Sequence, residues 1–198
     1  PIHSSAASDV YKRQQLMTFA TGLLVIALVN GIEILLSIMP NGELFAETRL
    51  VLYILGIATL TDHLFGLQQM LIDTSSKYVL GLMNFLAIVV LVIVLNFLLI
   101  PIYGIYGAAI TTAIGLVLRA GFNALIMYRS TSLHAFTQKS LLTYSIALLC
   151  IAGSFILQEN VEWQYRSLAQ SLLMPLLFLT SCVIASCVPQ QVNQWMQQ

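Results

Sequence analysis

NFLLIPIYGIYGAAITTAIGLVLR, residues 96–119, decides how the rest of the chain is read. An apolar run reaches Pro101, turns through Tyr103-Gly104-Ile105-Tyr106-Gly107, and re-enters a second apolar run that carries one arginine, Arg119. The proline and two glycines interrupt helical continuity and supply the permissive dihedrals that a tight reversal needs. Two tyrosines in the turn stand where interfacial aromatics belong. Behind it Gly107, Ala108, Ala109, Thr111, Thr112 and Gly115 make a run of small residues that lets two helix backbones approach closely in lipid. The expectation is a transmembrane hairpin with a tightly packed second arm.

Composition sets the class outward from that hairpin. The chain is 59% hydrophobic and 8% charged, with a mean hydropathy of +0.89. Soluble domains are roughly 45–50% apolar and about 25% charged, so a polytopic membrane protein is expected. The formal net charge is +0 and no basic cluster occurs, which argues against a nucleic-acid partner. Cys150, Cys182 and Cys187 sit in apolar runs without metal-ligand spacing and read as buried, inert thiols.

Residues 1–14, PIHSSAASDVYKRQ, differ from the rest of the chain. They are polar, lack the apolar centre of a signal peptide, and look like translated adapter or vector sequence, so fold reasoning starts at Gln15. Residues 15–198 are expected to form one transmembrane lobe. That lobe holds six apolar segments, at about 16–38, 48–72, 78–100, 107–128, 140–157 and 167–188, each near the ~20 residues that cross a bilayer. Pro175 is expected to kink the last. No segment alternates strictly enough for a membrane barrel, so the fold class is all-α, a polytopic membrane helix bundle of about six transmembrane helices. If the helices alternate, Lys12, Arg13, Lys77, Arg129 and Lys139 share one side, and Arg49 and Arg166 share the other with four glutamates. The Lys/Arg excess makes the first side cytoplasmic, with both termini there.

Polar residues inside these segments are the functional candidates. Gly56, Thr59, Asp62, His63, Gly66 and Gln69 recur at three- and four-residue steps, which places them on one face of the second helix. Thr112, Gly115, Arg119 and Asn123 do the same on the fourth, and Asn30, Glu33 and Ser37 on the first. Asp62 and Arg119 fall at similar depth, roughly 20 Å from the outer end at 1.5 Å per residue. An ionised residue there costs at least ~2.5–3.5 kcal/mol, so each faces a partner or a water-filled cavity. Two readings stay open: a structural Asp62–Arg119 pair that locks two helices, and a translocation cavity lined by Arg119, Asp62, His63, Thr59, Gln69, Asn123 and Glu33. His63 alone also fits a satisfied hydrogen-bonding group. Asn84 and Asn96 read as interhelical hydrogen-bonders.

A family resemblance adds to these residues. Asn96, the pattern IP-x-YG-I-x-GAA-x-x-T over 100–112, a helix ending in Tyr128-Arg129, and Leu67-Gln68-Gln69 followed by Ser76-Lys77 resemble the polysaccharide flippases of the multidrug/oligosaccharidyl-lipid/polysaccharide exporter superfamily. The likeness covers about 49–129, and its motifs are short and mostly structural. It implies two six-helix lobes around a central cavity, alternating access, and outward movement of a polyprenyl-diphosphate-linked oligosaccharide across a bacterial inner membrane. It implies no cofactor and no metal. Its implied partners are the lipid-linked oligosaccharide, the bilayer and an N-terminal lobe missing from this chain. Within the superfamily a multidrug cation antiporter or a peptidoglycan-precursor flippase is the alternative. Outside it stand a membrane glycan polymerase or transferase and a structural helix-bundle subunit. GxSxG, HExxH, CxxC and P-loop patterns are absent, and the longest internal connection, about 129–139, has no acid, so an enzyme is not expected.

Overall fold

A computed structural model describes residues 2–45, 47–131, 138–160 and 163–184. Among them no strand occurs, and six helices carry the chain. These are α1 (Ile2–Ile38), α2 (Thr48–Asp73), α3 (Tyr78–Tyr103), α4 (Ile105–Thr131), α5 (Gln138–Asn160) and α6 (Trp163–Ile184), with a short 3-10 turn at Gly42–Phe45. The protein is an all-α bundle. Five helices contain stretches long and apolar enough to cross a membrane: Lys12–Leu36, Thr48–Gly66, Tyr78–Tyr103, Ile105–Arg129 and Gln138–Ile156. The apolar stretch of α6 is shorter, Ser171–Val183. The sixth expected span therefore differs from the other five, and its expected last residues, 185–188, lie outside the described part.

Pairings between helices give their directions. Asn84 meets Asn123 and Asn96 meets Thr111, so α3 and α4 are antiparallel. Gln14 reaches the Leu64 carbonyl while Val25 lies against Gly56, so α1 and α2 are antiparallel too. Asp62 meets Arg119 and Gln69 meets Asn123, which makes α2 and α4 parallel. That is the relation expected from alternating crossings.

The expected five-residue turn of the hairpin is one residue. Helix α3 continues through Pro101 to Tyr103, only Gly104 leaves helical geometry, and α4 restarts at Ile105 rather than Gly107. Pro101, two residues before the last helical residue, removes one ladder bond, the one its N–H would have made to the Phe97 carbonyl, and the helix continues past it. Gly104 has φ 58° and ψ −130°, a conformation open to glycine and strained for other residues. Its N–H still donates to the Ile100 carbonyl (2.8 Å).

Small residues of α4 face α3 as expected. A Cβ on Gly107 would lie 2.5 Å from the Leu99 carbonyl oxygen, and one on Gly115 would lie 2.6 Å from Val92 Cγ2. Thr111 Oγ1 donates to Asn96 Oδ1 (2.5 Å) on the same seam. Backbones this close gain dispersion contacts that lipid tails cannot match, which drives helix association where no water is expelled. The second core joins α1, α2, α5 and α6. Phe19, Ile26, Leu60, Ala147, Phe178 and Cys182 are buried there, with Phe19 stacked on Phe178 at 5.7 Å. Helix α3 lies outside that core, with only Gly81 and Ile88 buried, and away from its seam with α4 it presents its apolar surface outward.

The polar segment set aside at the start of the sequence enters the fold. Helix α1 runs through it from Ile2, and Gln14 is buried, its Nε2 donating to the Leu64 carbonyl oxygen (2.6 Å). Nothing in the polarity of 2–14 opposes a helix, because helical hydrogen bonds close locally and the segment holds no proline or glycine. Helix α6 is likewise helical across Pro175.

Candidate functional site

The site is built from two parallel helices. On α2, positions 62, 66 and 69 share a face at i, i+4, i+7, and on α4 positions 119 and 123 share one at i, i+4. Asp62 lies fourteen residues after Thr48 and Arg119 fourteen after Ile105, so both sit at one height. Arg119 Nη2 donates to Asp62 Oδ2 at 2.5 Å, an ion pair with side chains 31% and 17% exposed. Direct contact offsets the penalty each charge would incur alone. The remaining exposure leaves both open to one side.

That side is a cavity of about 300 Å³. Asp62, His63, Gly66, Gln69, Arg119 and Asn123 form its polar wall, and Met17, Phe65, Met70 and Ala120 its apolar one. Gly66 has nothing within 4 Å of where a Cβ would stand, so its missing side chain adds open space. His63 is exposed. The arrangement is a concave, mostly apolar surface with a few convergent polar groups and a cation at one end.

This chain matches no family model, no curated protein and no solved structure. The chemistry of the site rests on these side chains alone.

Of the seven residues singled out in the sequence, Arg119, Asp62, His63, Gln69 and Asn123 converge on the cavity. Thr59 does not, although it lies one turn from Asp62, so the stripe is longer than the wall it helps to form. Glu33 lies on α1, and its side chain is outside the described residues, as is that of Ser37. Asn30, of the same stripe, is buried and bonds its own helix, Nδ2 donating to the Ile26 carbonyl (2.7 Å).

Below the ion pair runs a chain of amides. Asn84 Nδ2 donates to Asn123 Oδ1 (3.1 Å), Asn123 Nδ2 to Gln69 Oε1 (2.6 Å), and Gln69 Nε2 to Asp73 Oδ1 (2.8 Å). Asn84 and Asn96 thus both bond across helices, as expected, but sequence reasoning missed Asp73 and the linkage itself. It also missed Gln14, hidden in the segment set aside, and Thr61, whose hydroxyl meets that of Tyr144 (2.9 Å). Apolar cavity residues such as Met17 and Met70 carry no periodic signal apart from the surrounding apolar run.

Proposed function

We propose that this chain is the C-terminal helical lobe of a polysaccharide flippase of the multidrug/oligosaccharidyl-lipid/polysaccharide exporter superfamily. The cargo is a polyprenyl-diphosphate-linked oligosaccharide, moved outward across a bacterial inner membrane by alternating access, with both chain termini cytoplasmic. The observation that carries this reading is the Arg119–Asp62 pair, level on two parallel helices and open to a cavity wall. A cation at such a place has a use when an anionic group must cross the same region. Arginine's planar fork suits phosphate oxygens bidentately, and Asp62 satisfies it between cargoes. The resemblance over 49–129 names the class of cargo, and the amides beside Arg119 are compatible with its polar part.

The test uses the full chain in lipid nanodiscs with farnesyl diphosphate as probe. Arg119→Ala should weaken binding at least about tenfold, the loss of one charge-assisted contact, and Arg119→Lys should recover part of it. Equal binding by wild type and Arg119→Ala would rule the anion reading out. Binding of tetraphenylphosphonium instead, dependent on Asp62, would point to the cation antiporter.

A further inference from the structure

We infer that Asn84, Asn123, Gln69 and Asp73 act together as a positioning chain that holds α2 and α4 in register, and with them Arg119 against Asp62, its polarity set by Asp73 at the end of α2. This role goes beyond the proposed transport and does not depend on what the cavity binds. Every donor in the chain points the same way, from α3 through α4 to the end of α2. An ionised carboxylate accepts hydrogen bonds and donates none. Asp73 therefore obliges Gln69 to present Nε2 to it and Oε1 to α4. Asn123 must then present Nδ2 to Gln69, which leaves Oδ1 to accept from Asn84. One carboxylate selects the orientation of both middle amides, and the amide at position 84 closes the chain.

Asn123 is 3% exposed and has an oxygen and a nitrogen both engaged, so it serves the wall as a junction. It lies one turn from Arg119 on α4, and Gln69 lies two turns from Asp62 on α2. Two cross-links between the same parallel helices, at different heights, fix rotation as well as axial slide. The ion pair alone would be a single pivot. Asn84 extends the restraint to α3, so α2, α3 and α4 share one register at this end. Asp73 is exposed at the helix end, seven residues past the apolar stretch of α2, where water reaches it.

Polarity can be tested by reversing it. Asn84→Asp, assayed at a pH where it is ionised, puts an acceptor at both ends, so one link must face oxygen to oxygen. Asp73→Asn alone is tolerated, because an amide at 73 can still accept. Combined with Asn84→Asp it can donate instead, and all three bonds re-form in the opposite direction. The variants are made in the full chain in detergent, with two readouts: the thermal unfolding midpoint, and maleimide labelling of Ala120→Cys, a buried cavity position beside Arg119, in a background whose native cysteines are alanine. Asn84→Asp should lower the midpoint and raise labelling about fivefold, the scale of one lost hydrogen bond. Asp73→Asn should change labelling less than about twofold, and the double variant should return to within that range. Asn84→Ala should be milder than Asn84→Asp and gain nothing from Asp73→Asn. If Asn84→Asp does not accumulate in the membrane, recovery of its level by Asp73→Asn is the same result. A silent Asn84→Asp, or an Asn84→Asp defect that Asp73→Asn leaves in place, overturns the inference.

Discussion

Asp62 and Arg119 each neutralise a charge that would be costly alone, and the consequence is measurable residue by residue. Arg119→Ala leaves a carboxylate in an apolar span, and Asp62→Ala leaves a guanidinium, so each should lose about 2–3 kcal/mol of stability. The double alanine variant has no isolated charge and should recover most of that loss. Unfolding of the detergent-solubilised chain measures this as a double-mutant cycle, and additive losses would show that the two side chains do not depend on each other. The candidates were legible here because the three- and four-residue spacing of Asp62, Gly66 and Gln69 places them on one face. Periodicity names the face, not what stands opposite. Thr59 shares the stripe and misses the cavity, Asp73 belongs to its support and stands out in no pattern, and Asn84 reads as an interhelical hydrogen-bonder whose partner the pattern does not name. Their partners lie 39 and four residues away, and the link between them passes through a third helix.

Among the helices, glycines do opposite jobs, and substitution should separate them. Gly66 faces open space, so Gly66→Ala gains helix propensity and should stabilise by up to about 1 kcal/mol. Gly107→Ala would drive a Cβ into the Leu99 carbonyl, which cannot rotate away, and should destabilise by about 1–3 kcal/mol. Gly104→Ala should cost a similar amount through strain alone, since no neighbour lies within 4 Å there. Unfolding midpoints of the three variants test this, and a Gly66→Ala loss as large as that of Gly107→Ala would contradict it. The hairpin itself was visible in Tyr103-Gly104 and in the small residues after it. Its tightness was not, because two glycines and a proline are compatible with any turn from one residue to five. Only the packing of Gly107 against α3 selects the shortest.

Across the whole molecule the helices divide by packing. Helix α4 packs chiefly on α2 and α3, while α1 packs on α2, α5 and α6, so α1 and α2 hold the two groups together. Helix α3, apolar and outward-facing for most of its length, is the natural lipid-facing edge of the first group. Fusions should place the Gly104 turn on the opposite side from Lys77, Arg129 and Lys139, given the Lys/Arg excess on that side. A periplasmic reporter at Ile105 and a cytoplasmic one after Gln198 should both be active, and an active periplasmic reporter after Gln198 would invert the topology.

Equal height of Asp62 and Arg119 has an electrical meaning. A membrane potential does work on a charge only as that charge moves through the field, about 2.3 kcal/mol per elementary charge for a full crossing at 100 mV. Opposite charges at one depth form a dipole that lies in the plane of the membrane, across the field. A motion that carries the pair together along the membrane normal therefore moves no net charge on these two side chains, and voltage neither drives nor opposes their displacement. A step that parts Arg119 from Asp62 along the normal would instead register as current from the pair.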